Sequence, residues 1–357
     1  MAYKSIATGL IRTALVGFGI SGQVFHAPLL AANTRFRLDA IVTANEERIG
    51  KARQRYPQAR LLANWQALLR HIDSGELEID LIVLGTPPAM HAEQARDATA
   101  RGIHLVVDKP FAANAAQAEQ MLADARRANT LLTVFHNRRW DGDFLTLQKL
   151  LSEDAVGAVR TFESRFEWWR PQGFGNWRDR TPLAEGGGLL LDLGSHLIDQ
   201  AIQLFGPVRQ ASAELVRYGR QSDSDDDAFV SLLHENGVRS RLWMNGQAAQ
   251  NGPRFHLLGS RGGYTCWGLD NQEPSLAAGL LPSDSQYGVM PEPDWGTLSN
   301  GETRHAVPHQ RGNYPAFYQQ LAGALLDGGP SPVDAGEALT VLRLIDDLHQ
   351  RFAVRCA

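Results

Sequence analysis

Three residues in this chain stand where their types and spacing could move a proton. Asp192 and His196 lie four apart in Asp192-Leu193-Gly194-Ser195-His196. On a helix that spacing puts both side chains on one face, and a histidine with its ordinary pKa of about 6.5 exchanges protons around neutrality. The third residue is Lys109, in Asp108-Lys109-Pro110, which ends the apolar run His104 to Asp108. Ligands bind at the C-terminal ends of strands in open α/β sheets, and a lysine there can donate to a substrate hydroxyl. Plainer roles exist for the same residues: an N-cap acid with a satisfied histidine, and a surface lysine before a turn. Gly186-Gly187-Gly188, just ahead of the pair, would let backbone pass close to a ligand.

A second motif lies near the N-terminus. Gly17-Phe18-Gly19-Ile20-Ser21-Gly22 directly follows the apolar run from Thr13 to Val16. In the pattern Gly-x-Gly-x-x-Gly the first glycine permits a tight turn, the second admits a pyrophosphate and the third allows close strand-helix contact. Gly17, Phe18, Gly19, Ile20 and Gly22 are therefore dinucleotide-binding candidates, with the anion at a helix start. Pro28, six residues on, does not suit a simple helix and points to a late start or a kink. The next strand would end near an acid that bonds the ribose of NAD. Thr43, Asn45 and Arg48 stand there instead, and they can donate to a phosphate, so the sequence leans to NADP over NAD.

Other chemistries are poorly served. The 35 basic and 39 acidic residues leave a net charge of −4 in 357 residues, where nucleic-acid binding asks for a basic excess. Cys266 and Cys356 cannot build a disulfide framework or a four-cysteine zinc site. No His-Glu-x-x-His is present, and His305 with His309 has the right spacing without helical context, so no metal is expected. No Gly-x-Ser-x-Gly elbow marks a hydrolase. No apolar run reaches the roughly 18 residues of a membrane span, and Met1 to Leu10 lacks the features of a secretory signal. A soluble, cytoplasmic protein is expected.

These residues need elements to hold them. Apolar runs at Thr13 to Gly17, Leu38 to Thr43, Leu81 to Gly85, His104 to Asp108 and Leu131 to Phe135 read as buried parallel strands. Helical spacing intervenes, most clearly over Asn114 to Asn129. From Val159 the period becomes two. Asn236-Gly237, between Ala228 to Glu235 and Val238 to Asn245, predicts a type I′ hairpin. A second hairpin surrounds Ser260-Arg261-Gly262, and helices follow the period at Leu190 to Phe205, Tyr314 to Asp327 and Asp334 to Phe352. Residues 268–311 read as a long Gly/Pro-rich loop, and Ser222 to Asp227 as a solvated acidic turn. The fold class is α/β: a parallel, doubly wound sheet over residues 1–135, then an α+β domain over 136–357 with an open, largely antiparallel sheet.

The ordered set resembles a known family. The glycine loop, Gly85-Thr86-Pro87 with His91, Asp108-Lys109-Pro110 and Asp192-x-x-x-His196 are similar to the glucose-fructose oxidoreductase / inositol dehydrogenase / rhizopine catabolism (Gfo/Idh/MocA) family. Phe135-His136-Asn137-Arg138-Arg139-Trp140-Asp141 and the segment from Asp192 to Gln200 look like its scyllo-inositol dehydrogenase branch. The resemblance spans nearly the whole chain. It implies an N-terminal Rossmann domain, nicotinamide-dependent oxidation of a sugar or polyol hydroxyl, a last helix that packs back on the first domain, and a homo-oligomer, dimer or tetramer, formed through the open sheet. It assigns Lys109 and His196 as the catalytic pair and Asp192 as the substrate-orienting acid. Thr86, Pro87, His91 and Asp108 fall on the cofactor side; Asn137, Arg139 and Trp177 are substrate-side candidates. Asp108 replaces the family's usual glutamate and Pro88 its usual asparagine. Two alternatives stand beside a polyol dehydrogenase: a reductase of another carbonyl or imine, and a catalytically silent nucleotide sensor.

Overall fold

Continuous apolar runs drive the first part of the chain into a parallel sheet. In the computed structural model, which describes residues 3, 6, 9–218 and 223–357, six strands lie in the order β3-β2-β1-β4-β5-β6. They are β1 (Ile11–Val16), β2 (Phe36–Val42), β3 (Arg60–Leu62), β4 (Leu81–Leu84), β5 (His104–Asp108) and β6 (Leu132–Phe135), and all pair in parallel. Helices α1 (Ala27–Ala31), α2 (Glu46–Arg55), α3 (Trp65–Asp73), α4 (Pro88–Thr99) and α5 (Ala115–Arg127) connect them. Asn45, Asn64 and Asn114 each accept a backbone N–H at a helix start, which satisfies a donor the helix leaves without a partner. Strand order reverses between β1 and β4, the switch point where such sheets hold ligands.

A nine-stranded sheet follows, ordered β14-β13-β12-β11-β7-β10-β9-β8-β15. Its strands are β7 (Val159–Glu167), β8 (Val208–Arg217), β9 (Asp227–His234), β10 (Arg239–Asn245), β11 (Phe255–Gly259), β12 (Gly263–Cys266), β13 (Gly296–Ser299), β14 (Arg304–Val307) and β15 (Arg355–Cys356). Only β7 with β10 and β8 with β15 run parallel. Helices α6 (Gly142–Ser152), α7 (Leu189–Asp192), α8 (Gly194–Phe205), α9 (Gln272–Ala277), α10 (Pro315–Asp327) and α11 (Ala335–Arg351) complete the chain. Phe162 and Phe166 of β7 are buried in the core beneath α8. Two late helices return to the first sheet. α11 packs on α5 and β6, and Phe317, Tyr318 and Leu321 of α10 share a core with Ile11, Leu15 and Phe135.

Several expectations need correction. β3 has no counterpart in the sequence reading, since three residues with one fully buried show no period. The helix after the glycine loop starts at Ser21 rather than late. Its first part, Ser21–His26, is wound in the wider π register and runs straight on into α1, so Pro28 lies inside one continuous helical stretch just after the change of register. The helix expected over Leu190 to Phe205 breaks at Leu193 into α7 and α8. The Asn236-Gly237 turn is not type I′. Gly237 donates to the His234 carbonyl and alone has positive φ, +87°, so this is a type I turn closed by a glycine bulge. Asp225 and Asp226 are buried, not solvated, because they accept the backbone N–H groups of Leu190 and Tyr218; Ser222 lies outside the described residues, as does most of Met1 to Leu10. Residues 268–311 are not a loop throughout, for they contain α9, β13 and β14.

The corrected turn gives a direct check. Gly237→Ala should lower stability by about 1–2 kcal/mol through left-handed strain, read as a lower urea midpoint at unchanged slope. An unchanged midpoint would contradict the assigned geometry.

Candidate active site

The glycine loop has separate physical reasons for each glycine. Gly17 has φ +94°, and a Cβ there would lie 2.5 Å from the Gly85 carbonyl oxygen. A Cβ on Gly22 would collide with the Gly17 carbonyl. Gly19 is different: a Cβ would meet only the Arg48 guanidinium, at 3.7 Å. The outer glycines are thus required by backbone packing, and the middle one leaves an open approach at a helix start with a cation beside it. That cradle fits a pyrophosphate. Ile20 is exposed at the loop tip, whereas Phe18 is buried edge-on against Tyr56 and offers only backbone. Thr43, directly after β2, is 8 % exposed. The Asn45 carboxamide oxygen accepts the Arg48 N–H as its helix cap, which leaves the Nδ2 amide to act as a donor.

The reactive residues meet at the break between α7 and α8. Lys109, directly after β5, donates from Nζ to Asp192 Oδ1 at 2.6 Å and to the Asp192 carbonyl at 3.0 Å. That carbonyl is available because the helix breaks at Leu193. The second carboxylate oxygen, Oδ2, accepts from Arg178 Nε at 2.8 Å. Arg178 is delivered by a tight turn in which the Asp179 carboxylate gathers the N–H groups of Phe174, Gly175 and Asn176. Burial by itself raises the Asp192 carboxyl, but the two cations outweigh it and hold the group well below the usual carboxylate range. Asp192 is therefore a permanent anion, bonded to Lys109 and Arg178 and not to His196 as the shared face implied.

His196 is 5 % exposed, and its Nδ1 is buried without a partner. Its ring stands edge-on to Phe166 and to His136, with centroids 6.0 and 6.4 Å away. Burial, and then the charges of Lys109 and Arg138, push its pKa well below the ordinary value. The imidazole is neutral at neutral pH and able to accept a proton. His136 has no assigned role in the sequence; its signals there are its place directly after β6 and its membership of the Phe135 to Asp141 segment.

Other expected site residues fall into different roles. His91 is wholly buried, its ring nitrogens facing the carbonyls of Thr86 and Phe111. It ties the loop after β4 to the segment after Lys109. Thr86 donates to Gln94, and Pro87 is exposed at the start of α4. Asp108 accepts from Ser21 Oγ at 2.5 Å and from its neighbour's N–H at 2.8 Å. Asn137 is 6 % exposed in the turn after β6. Arg139 is corrected: its guanidinium is engaged by Asp199 at 2.6 and 2.8 Å and by Glu337 of α11 at 2.8 Å, so it fastens helices and is not presented to substrate. Trp177 lies in the Arg178 turn, and its side chain is outside the described residues. Among the described residues no cluster of His, Cys, Asp or Glu could hold a metal ion.

A dinucleotide cradle at the switch point, facing a lysine, a neutral histidine and a fixed carboxylate, defines a nicotinamide-dependent oxidoreductase. Comparison with known proteins agrees. Residues 11–136 match the oxidoreductase family with NAD-binding Rossmann fold, and residues 144–265 match the GFO/IDH/MocA C-terminal domain. The chain belongs to the Gfo/Idh/MocA oxidoreductase family. It is 30% identical over 340 residues to scyllo-inositol 2-dehydrogenase (NADP(+)) IolW of Bacillus subtilis, covering 94% of this chain and 92% of that one. It is 37% identical to the oxidoreductase YdgJ of Escherichia coli, with 94% of each covered. The solved structure of the Bacillus subtilis oxidoreductase YvaA superposes with a TM-score of 0.87 at 30% identity, covering 95% of both chains.

The reassigned arginine can be tested by stability. Arg139→Met leaves the buried Asp199 without its bidentate partner and should cost about 3–5 kcal/mol. Glu337→Gln, at the exposed end of the same network, should cost less than about 1 kcal/mol. Equal losses in chemical denaturation would contradict the fastening role.

Proposed function

We propose that the chain catalyses reversible hydride transfer between NADP(H), or NAD(H), and a hydroxyl-bearing carbon of a sugar or polyol of the inositol type. The observation that carries this reading is Lys109 Nζ, pinned 2.6 Å from Asp192 at the broken helix, one turn from a neutral His196. When bound, the nicotinamide supplies or accepts the hydride. In oxidation His196 takes the substrate's hydroxyl proton and in reduction returns it. Lys109 donates to the same oxygen and stabilises its developing negative charge. Asp192 keeps Lys109 aimed, and Arg178 keeps Asp192 from turning. Asn137 and Trp177 are the candidate substrate walls.

NADP is favoured by Arg48 beside Gly19, by the lack of an acid at the end of β2, and by the NADP(+) in the name of IolW. A homo-oligomer, dimer or tetramer, is favoured by the outer face of the second sheet. There Leu258 and Trp267 are 41 % and 58 % exposed, beside an Arg165–Trp243–Phe229 stack. The thiols Cys266 and Cys356, both free, suit a reducing cytoplasm, and among the described residues no helix is long and apolar enough to cross a membrane.

The test mixes protein with NADP or NAD and a panel of inositols and aldoses, and follows absorbance of the reduced nicotinamide. Turnover of at least one polyol is expected; tight cofactor binding with no turnover on any polyol or carbonyl would favour a sensor. Lys109→Ala should lose about 10²- to 10⁴-fold in turnover while still binding cofactor. The acid limb of the oxidation rate should fall below pH of about 6.5, since His196 must be unprotonated to act and its pKa is depressed. A limb above that value would contradict the base assignment.

A further inference from the structure

A buried chain of polar groups leads from the second half of the molecule to Asp108. Tyr318 of α10 and His26 are both wholly buried, and the Tyr318 hydroxyl lies 2.7 Å from His26 Nδ1. His26 Nε2 is buried with no hydrogen-bond partner and faces Asp108 Oδ2 at 3.9 Å. The same oxygen accepts from Ser21 Oγ at 2.5 Å, and Oδ1 accepts from the Lys109 N–H at 2.8 Å. Phe135 packs against the His26 ring with centroids 4.5 Å apart, which fixes the ring plane.

The tautomer follows from this arrangement. Burial and then the Asp108 charge push the Tyr318 phenol well above its ordinary range, so it stays a donor. Tyr318 donating to Nδ1 puts the ring proton on Nε2, facing the carboxylate. The opposite tautomer would turn a nitrogen lone pair towards an anion. The π-wound turn explains how Ser21 and His26 reach one oxygen. Residues five apart in an α-helix differ by about 140° in direction, whereas in the π register five residues close a single hydrogen-bonded turn, as Ala27 N–H to the Gly22 carbonyl shows. Asp108 is an anion that Ser21 bonds and that His26 faces from the same side without a hydrogen bond. Lys109, its neighbour, is committed to Asp192.

We propose that Tyr318, His26 and Ser21 are positioning residues that hold the Asp108 carboxylate as a fixed countercharge at the nicotinamide end of the cleft, so that the protein binds the oxidised cofactor in preference to the reduced one. The oxidised nicotinamide ring carries a positive charge that the reduced ring lacks, and only that form gains from a nearby fixed anion. The placement rests on the reading above that Lys109 marks the end of the cleft where the hydride moves.

The test needs no substrate. Full-length protein is titrated with NADP+ and with NADPH by calorimetry, as wild type, Asp108→Asn and Tyr318→Phe. Asp108→Asn should weaken NADP+ by about tenfold, the scale of one partly screened charge pair, and leave NADPH within about twofold. Tyr318→Phe, which keeps the ring packing, should shift the same ratio in the same direction by a smaller factor. Equal weakening of both forms, no change in either, or a shift in Asp108→Asn with none in Tyr318→Phe would overturn the proposal. An unshifted ratio with normal polyol turnover removes this inference alone. A shifted ratio with no turnover on the panel removes the reaction reading alone.

Discussion

The Asp192 carboxylate, with Lys109 on one oxygen and Arg178 on the other, joins three distant stretches of chain. Lys109 comes from the end of β5 in the parallel sheet, Asp192 from the broken helix over the second sheet, and Arg178 from the turn between. Lys109 and Asp192 are largely removed from water while Arg178 is one-third exposed, and losing one partner of a buried pair typically costs about 3–5 kcal/mol. The cost is also a constraint on geometry. Because Asp192 cannot take up a proton near neutrality, Lys109 has one place to be, and the region beside His196 is defined by it.

Much of the molecule can be understood as support for that junction. The break at Leu193 releases the Asp192 carbonyl to Lys109 and turns His196 inward. Asp225 accepts the N–H of Leu190 and so anchors the start of α7, and the C-terminal helix reaches Asp225 through His349 at 3.3 Å. Arg139 fastens α8 to α11 through Asp199 and Glu337. The glycine loop and the Lys109 segment are linked through Ser21 and Asp108. These contacts couple the nucleotide side of the cleft to the second sheet.

The sequence made most strands of the two sheets and the positions of Lys109, Asp192 and His196 legible because these depend on local signals. Apolar runs mark buried strands, the glycine motif picks out Gly17, and the strand-end rule picks out Lys109. What it could not show depends on contacts between distant residues. Ser222 to Asp227 has turn composition, yet Asp225 and Asp226 are buried because backbone N–H groups far along the chain need acceptors. Arg139 looked available until Asp199, sixty residues on, was brought to it. The helix carrying Asp192 and His196 has unbroken helical spacing, so the break at Leu193 shows only in the folded backbone. The Asn236-Gly237 dipeptide alone does not fix loop length, so it fits a type I turn closed by a glycine bulge as well as a type I′ turn.

The most direct measurement is a crystal structure of the protein with NADP and a polyol that it turns over. The account requires the reacting oxygen to lie within about 3 Å of both Lys109 Nζ and the His196 ring, with Asp192 still bonded to Lys109. A polyol bound with its reacting oxygen against neither residue, or an Asp192 released from Lys109, would contradict it.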